Sequence, residues 1–156
     1  MGKPYIVVAG NLLNSKEDYI VHQVNCKKVM GSGVARAIRE KHMDVYNEYV
    51  KFIEAFEEAG RIPLGETLLV NVDNTGYKGV INMYSQENYG YDGKQYTDYK
   101  AIERCLEGVN KLAEGASVAF PWKVGCVRGG ANWDVVLNMI CDKLTNVKSI
   151  TFYEYQ

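Results

Sequence analysis

The stretch HQVNCKKVMGSGVARAI, residues 22–38, changes character halfway along its length. It begins with residues typical of a strand, passes through two lysines and a Gly-Ser-Gly turn, and ends in small apolar residues at helical spacing. A turn between a strand and a helix leaves backbone N–H groups free at the start of the helix, where they bind anions well. We therefore expect a strand, an anion-binding loop and a helix, in that order.

The rest of the chain continues this alternation of strands and helices. Helical patterns begin at Val34, at Asp44, at Thr97 or Asp98, and at Asn132, which is a good helix cap. Short apolar runs predict six strands, at residues 5–9, 19–24, 66–72, 80–84, 117–121 and 150–155. This alternation predicts an α/β fold, a sandwich with a largely parallel central sheet covered by helices on both faces. The strands at 66–72 and 80–84 flank a DNTG turn signal and form either a hairpin or two non-neighbouring strands.

Composition limits the classes of protein that this chain can represent. A chain of 156 residues with 47% hydrophobic residues suits a single domain spanning 1–156. The apolar run near the start is too short for a signal peptide or a membrane span, so we expect a cytoplasmic protein without a membrane partner, monomeric by default. A net charge of −1 argues against nucleic acid as a partner. The four cysteines show no zinc-ligand spacing, so we expect no metal and no cofactor.

A second glycine-rich loop, WKVGCVRGGA at residues 122–131, repeats the design of the first. It also follows a predicted strand and precedes a predicted helix. Because ligands of α/β folds bind beyond the carboxyl ends of the strands, both loops should lie at the same edge of the sheet. Two amide-rich loops at one edge make a diphosphate site plausible. The dinucleotide motif is incomplete, since Arg36 stands where its third glycine would be, and no phosphate loop of the nucleoside triphosphatase kind is present.

Four separated motifs then point to a family. These are GNLL at 10–13, the stretch 22–38, INMYSQENYG followed by YTDYKAI, and FPWKVGCVRGGANW at 120–133. Together they resemble the macro domains, in particular the phage and bacterial branch of ADP-ribose 1''-phosphate phosphatases. The resemblance implies a three-layer α/β/α sandwich with a mixed, largely parallel sheet, and a sheet-edge cleft for ADP-ribose or ADP-ribose 1''-phosphate.

The resemblance also implies which residues contact each part of the ligand. Adenine would meet the loop after the first strand, together with Tyr153 or Tyr155 near the end of the chain. The distal ribose would lie against Asn25 and the first glycine turn, and the diphosphate between the two glycine loops. Lys123 or Arg128 would add positive charge. The implied binding residues are Asn11, Leu12, Asn25, Met30, Gly31, Ser32, Gly33, Val34, Pro121, Val124, Gly125, Cys126, Val127, Arg128, Gly129, Gly130 and Tyr153.

The implied catalytic residues are His22, Asn25 and Asn132. An imidazole titrates near neutral pH, so His22 is expected to act on the water that attacks the terminal phosphate, although a strand histidine can also bond only to its neighbours. Asn132 stands where the phosphatase branch often has aspartate, and a carboxamide orients water or caps its helix but takes no proton. Relatives that use a catalytic lysine after the fourth strand differ here, where residues 85–87 are Ser-Gln-Glu. A thiol–imidazole pair between Cys26 and His22 is a further option.

The sequence thus leaves three functions open. The first is hydrolysis of ADP-ribose 1''-phosphate to ADP-ribose and phosphate. The second is recognition of ADP-ribose without turnover, or removal of ADP-ribosyl groups from modified macromolecules. The third is binding of adenine-rich RNA, because five tyrosines that could stack on bases cluster at positions 84, 89, 91, 96 and 99.

Overall fold

The computed structural model describes residues 2–73 and 75–155. The described chain contains six strands and four helices. The strands are β1 (Tyr5–Ala9), β2 (Tyr19–Val24), β3 (Thr67–Asn71), β4 (Gly79–Tyr84), β5 (Ser117–Pro121) and β6 (Ser149–Glu154). The helices are α1 (Gly33–Lys41), α2 (Met43–Glu58), α3 (Tyr99–Leu112) and α4 (Trp133–Lys143). Within residues 2–73 and 75–155, no helix combines the length and apolar composition needed to cross a membrane.

All six strands form one mixed sheet, in the order β1-β6-β5-β2-β4-β3. Every pairing is parallel except that of β3 with β4, which is antiparallel. The choice between a hairpin and separate strands is therefore settled in favour of the hairpin. Its predicted DNTG turn includes Asn74, which lies outside the described residues.

Helices cover both faces of the sheet, which confirms the three-layer α/β/α sandwich. Side chains alternate along each strand because successive residues of a strand point to opposite faces. On β2, for example, Ile20 and Val24 pack with α1 and α2, whereas Val21 packs with α3 and α4. Each face thus has its own apolar cluster, one centred on Ile38, Val45, Tyr49 and Ile53 and the other on Ile102, Leu106, Val136 and Ile140.

The predicted caps of two helices are confirmed. The Asp98 side chain accepts a hydrogen bond from the Ala101 N–H at the start of α3. The Asn132 side chain accepts one from the Val135 N–H at the start of α4. Each cap satisfies one of the N–H groups that a helix start leaves without an intrahelical partner.

The order of the strands positions the site. After β2 the chain proceeds to β3 and β4 on one side of the sheet, and after β5 it proceeds to β6 on the other side. The boundary between β5 and β2 is therefore a topological switch point, where α/β folds form a crevice beyond the strand ends. The two glycine loops follow these two neighbouring parallel strands, so they meet at this crevice.

Candidate functional site

A cleft of about 360 Å³ opens at the switch point between β2 and β5. Three segments surround it: the first loop (residues 25–32) with the start of α1, the second loop (residues 122–131), and the clasp segment (residues 85–97) after β4. The cleft is lined by His22, Gln23, Val24, Asn25, Val29, Gly31, Ser32, Gly33, Val34, Ala35, Gln86, Tyr89, Gly90, Tyr91, Pro121, Trp122, Lys123, Val124, Gly125, Val127, Arg128 and Gly129.

The start of α1 presents free backbone donors to the cleft. The first intrahelical bond of this helix runs from the Arg36 N–H to the Ser32 carbonyl, and the Ser32 side chain makes no cap hydrogen bond. The N–H groups of residues 33–35 therefore have no intrahelical acceptor. Gly33 has φ +59°, and nothing lies within 4 Å of the position that its Cβ would occupy. The turn thus leaves both hydrogen-bonding capacity and space for an anion.

Close contacts and an unusual backbone angle restrict the conformation of the second loop. Lys123 has φ 62° although it carries a side chain, a backbone state that is strained for residues other than glycine. A Cβ on Gly129 would overlap Thr97 Oγ1 and the Gly125 carbonyl oxygen, so only glycine fits there. The Gly125 carbonyl also accepts the Ala131 N–H at 3.1 Å. The geometry of the second loop therefore requires glycine at position 129.

The clasp segment holds the second loop through buried polar contacts. The Thr97 hydroxyl donates to the Gly125 carbonyl at 2.7 Å and accepts from Gln23 Nε2 at 2.8 Å. The N–H groups of Tyr96 and Thr97 both donate to the Gly129 carbonyl. Gln23 Nε2 also donates to Gln86 Oε1 at 2.6 Å. The side chains of β2 and the clasp segment thereby fix the position of the second loop.

Charged side chains in the lining are cationic. Lys123 and Arg128 line the cleft, and none of its described lining residues is aspartate or glutamate. The Arg128 guanidinium lies 4.7 Å from the centre of the Tyr91 ring, a cation–π contact across the mouth of the cleft. The electrostatics of the cleft therefore favour an anionic ligand.

His22 lies in the floor of the cleft and is 1% exposed. Its Nε2 lies 2.6 Å from Asn82 Oδ1 on the neighbouring strand β4, and its buried Nδ1 has no hydrogen-bond partner among the described residues. Burial lowers the pKa of His22 to about 4, an effect that the hydrogen bond to Asn82 partly opposes. The imidazole is therefore neutral at physiological pH.

The structure does not support the thiol–imidazole pair. Cys26 is buried in the apolar cluster beside α1 and α2, and burial raises the pKa of its thiol to about 12. A thiol with so high a pKa is a poor nucleophile at neutral pH. The ring nitrogen of His22 that does make a hydrogen bond contacts Asn82 instead.

Of the predicted site residues, twelve line the cleft together, including His22, Asn25 and Gly33. Seven do not. Met30 is fully buried in the apolar core, and Cys126 and Gly130 belong to the second loop without lining the cleft. The predicted catalytic Asn132 is exposed and caps α4, so its placement supports the capping alternative. The other three are Asn11, Leu12 and Tyr153.

Asn11, Leu12 and Tyr153 lie at the adjoining strand ends. Asn11 caps a turn of 3-10 helix by accepting the Leu13 N–H, and Leu12 is buried. The Tyr153 hydroxyl donates to Glu17 Oε1 at 2.7 Å, and the Tyr153 carbonyl accepts the N–H of Trp122, which does line the cleft. Tyr153 therefore adjoins the cleft lining through Trp122, whereas Asn11 and Leu12 lie beyond the end of the edge strand β1.

Sequence reasoning identified His22 of β2 but missed Gln23 and Val24 of the same strand and the contribution of the clasp segment. Lys123 was named only as a source of charge, and Tyr89 and Tyr91 only as base-stacking candidates. Tyr84, the first of that tyrosine cluster, is fully buried. The sequence signal that could have indicated a site residue here is the polar side chain of Gln23 in an otherwise apolar strand. The missed residues are Gln23, Val24, Val29, Ala35, Gln86, Gly90 and Trp122. Among the described residues, no group of three or more His, Cys, Asp or Glu side chains is arranged to hold a metal ion.

Comparisons with known proteins agree with this architecture. The profile of the family described as Macro domain matches residues 21–140. Two curated proteins named DNA ADP-ribosyl glycohydrolase, from Mycobacterium bovis and Mycobacterium tuberculosis, are 28% identical over 130 residues, or 82% of this chain and 35% of each protein. This chain thus spans about a third of the length of the curated relatives it matches.

Solved structures share the fold. The macrodomain of Mycobacterium tuberculosis DarG matches with a TM-score of 0.78 and 23% identity, covering 97% of this chain and 98% of that chain. Thermosipho africanus DarTG in complex with ADP-ribose matches with a TM-score of 0.76 and 20% identity, covering 96% of this chain and 41% of that chain. The family profile spans most of the sheet and both glycine loops, so the chain belongs to the macro domain family.

Proposed function

We propose that this chain binds ADP-ribose in the cleft and hydrolyses ADP-ribose 1''-phosphate to ADP-ribose and phosphate. The observation that carries the proposal is the meeting of two amide-rich loops at one cation-lined cleft without lining carboxylates among the described residues. The diphosphate lies between residues 31–34 and 124–129, where helix-start amides and glycine-loop amides both donate to its oxygens. The structure in complex with ADP-ribose of a relative with the same fold supports this choice of ligand.

The two ends of the ligand follow from this placement of the diphosphate. The distal ribose lies against Asn25, and adenosine extends past Trp122 towards Asn11, Leu12 and Tyr153 at the ends of β1 and β6. Neighbouring strands are about 4.8 Å apart, so this adenine region begins roughly 10 Å from β2. An extended nucleotide is needed to reach both regions.

The hydrolytic step places the terminal phosphate near His22 and the cationic side chains. Water attacks phosphorus, the bond between phosphorus and the C1'' oxygen breaks, and that oxygen leaves as the C1'' hydroxyl of ADP-ribose, taking up the proton that the attacking water loses. Lys123 and Arg128 offset the negative charge of the phosphate. His22, neutral at pH 7, is assigned to orient the water or to take its proton, which requires Nδ1 to become accessible when the ligand binds.

Two measurements test this proposal. Calorimetry with ADP-ribose is expected to show binding, and wild type is expected to release phosphate from ADP-ribose 1''-phosphate. His22→Gln, whose amide reaches Asn82 as Nε2 does but offers nothing at Nδ1, is expected to retain binding and lose phosphate release. Binding without release in the wild type would leave recognition without turnover as the function. No binding would contradict the nucleotide assignment itself.

A second candidate is removal of ADP-ribose from modified DNA. It is favoured by the two mycobacterial relatives, which are named DNA ADP-ribosyl glycohydrolase. Exposed Tyr89 and Tyr91 at the mouth of the cleft could stack on a base next to the modification. Release of free ADP-ribose from an ADP-ribosylated oligonucleotide, with none from the unmodified oligonucleotide, would support this candidate. An intact modified oligonucleotide after incubation would exclude it.

A further inference from the structure

The first loop is held by a buried tyrosine that does not line the cleft. Tyr49 of α2 is fully buried, and its hydroxyl contacts the loop at three atoms. The hydroxyl accepts the Val29 N–H at 3.1 Å. It also lies 2.9 Å from the Asn25 carbonyl oxygen and 2.6 Å from Asn25 Oδ1, to which it donates. One hydroxyl thus joins both ends of the segment 25–29.

These contacts determine which way the Asn25 carboxamide faces. Its Oδ1 accepts the Lys27 N–H at 2.9 Å as well as the Tyr49 hydroxyl, and its Nδ2 donates to the Val29 carbonyl at 2.8 Å. Because a backbone N–H needs an acceptor and a carbonyl needs a donor, exchanging oxygen and nitrogen would break the bonds to Lys27 and Val29, whereas the Tyr49 hydroxyl can donate or accept and would keep its contact. The carboxamide therefore has a single favourable orientation.

One donor of Asn25 remains available. A carboxamide nitrogen carries two protons, and only one of them is engaged by the Val29 carbonyl. Within residues 2–73 and 75–155, no hydrogen bond accounts for the second proton. Asn25 lines the cleft and is 9% exposed, so this N–H is the polar group that it can offer to a ligand.

We propose that Tyr49 is a positioning residue that anchors the Asn25 carboxamide in the orientation set by the Lys27 N–H and the Val29 carbonyl, so that its free N–H is presented to the ligand in the cleft. The proposal rests on the proposed function because the ligand is taken to be ADP-ribose. Its phosphate and ribose oxygens accept hydrogen bonds, whereas a rotated carboxamide would present an oxygen that repels them. Without the Tyr49 hydroxyl, Oδ1 loses its shortest contact and rotation of the carboxamide becomes easier.

The neighbouring Tyr84 provides a matched control. Its ring stacks on Tyr49 at 5.6 Å, it is also fully buried, and its hydroxyl donates to the Tyr49 carbonyl at 3.0 Å. Tyr84→Phe and Tyr49→Phe therefore each remove one buried hydroxyl and keep the stacked rings. Of these two hydroxyls, that of Tyr49 contacts the first loop, whereas that of Tyr84 contacts the backbone of α2.

The test is a double-mutant cycle on ADP-ribose affinity, measured by calorimetry. Tyr49→Phe is expected to weaken binding about tenfold, the equivalent of one hydrogen bond, and Tyr84→Phe is expected to leave it unchanged. If Tyr49 acts through Asn25, adding Tyr49→Phe to Asn25→Ala should cause no further loss. Additive losses, or equal affinities of the two phenylalanine variants, would overturn the proposal.

A measurement on the free protein separates this proposal from the proposed function. The two Nδ2 protons of Asn25 are expected to give distinct NMR signals, with exchange slower for the proton bonded to Val29. Tyr49→Phe is expected to reduce that difference, and Tyr84→Phe is expected to preserve it. An unchanged pair of signals in Tyr49→Phe would overturn the positioning role whether or not ADP-ribose binds. Failure of wild type to bind ADP-ribose, with the expected Asn25 signals present, would instead contradict the proposed function.

Discussion

Gly33 is the residue on which the anion site depends most directly. It lies at the first position of α1 with a positive φ, and the space where a side chain would project is open. A larger residue there would fold with moderate strain and extend into the region assigned to the diphosphate. The open space at Gly33 is thus assigned to the diphosphate, and a substitution that fills it tests this assignment.

We predict that Gly33→Glu abolishes measurable ADP-ribose binding while the protein stays folded. A carboxylate would occupy the diphosphate position and repel it, and the left-handed backbone would cost about 1–2 kcal/mol of stability. Gly115→Glu is the matched control because Gly115 has φ +74°, equally open surroundings and a position outside the cleft. Calorimetry and thermal unfolding of both variants check this. Equal affinity of the two variants for ADP-ribose would count against the assigned site.

His22 gives the protein a predictable response to acid. The unfolded chain takes up a proton on His22 as the pH falls below about 6.5, whereas the folded chain resists protonation until the pH is near 4. The free energy of unfolding is therefore not reduced by His22 above pH 6.5. It decreases as the pH falls from 6.5 to 4, because the unfolded chain binds a proton that the folded chain does not. We predict that about 3 kcal/mol of unfolding free energy is lost over this window.

Denaturant unfolding at several pH values tests this prediction, with His22→Gln as the comparison. The pKa of His42 is also lowered by burial, so it contributes to the same slope in both proteins. The variant is expected to lose much of the pH dependence between pH 6.5 and 4. Identical slopes for the two proteins would show that His22 is not the buried neutral group inferred here.

At the scale of elements, the start of α4 shows whether Asn132 has a structural or a catalytic role. Asn132 was a catalytic candidate by resemblance and a helix cap by pattern, and the structure places it in the cap. We predict that Asn132→Ala lowers stability by about 1 kcal/mol, as loss of a cap does, without changing phosphate release. Asp98→Ala, which removes the cap of α3, should behave alike. A loss of turnover in Asn132→Ala alone would restore its catalytic role.

The hydrogen bonds from the clasp segment are expected to maintain the conformation of the second loop. We predict that Thr97→Val, which keeps the shape of the side chain but leaves the Gly125 carbonyl without its hydroxyl donor, weakens ADP-ribose binding about tenfold. Thr151→Val is a control of equal burial in β6, outside the cleft. Calorimetry on both variants decides this. Equal affinities would mean that the second loop holds its conformation without the clasp segment.

The elements were predictable from sequence because their signals are local. Strands followed from short apolar runs, helices from spacing, and the start of α4 from a single asparagine, and the boundaries agree within a few residues. The antiparallel pairing of β3 with β4 remained open because a short turn signal does not establish which strands pair. Residues that line the cleft through loop backbones, such as Gly33 and Gly125, were predictable since glycine is required by the backbone itself.

At the scale of the whole molecule, the missed site residues of the clasp segment share one physical cause. Gln86 and the tyrosines of the clasp segment reach the cleft because β4 pairs with β2, a contact between segments about sixty residues apart that no local pattern encodes. Asn11 and Tyr153 lie outside the described lining because β1 and β6 are separated from β2 by β5. The sequence resemblance placed Asn11 and Tyr153 on the same ligand as the two glycine loops, whereas strand order determines their distances from its centre.

The convergence of the two glycine loops on one diphosphate is the central claim, and NMR with amide-resolved signals tests it most directly. On titration with ADP-ribose, the largest amide shifts are expected in residues 31–35 and 124–129 together, with the same saturation curve. Shifts confined to one loop, shifts centred elsewhere, or no shifts at saturating ADP-ribose would contradict it.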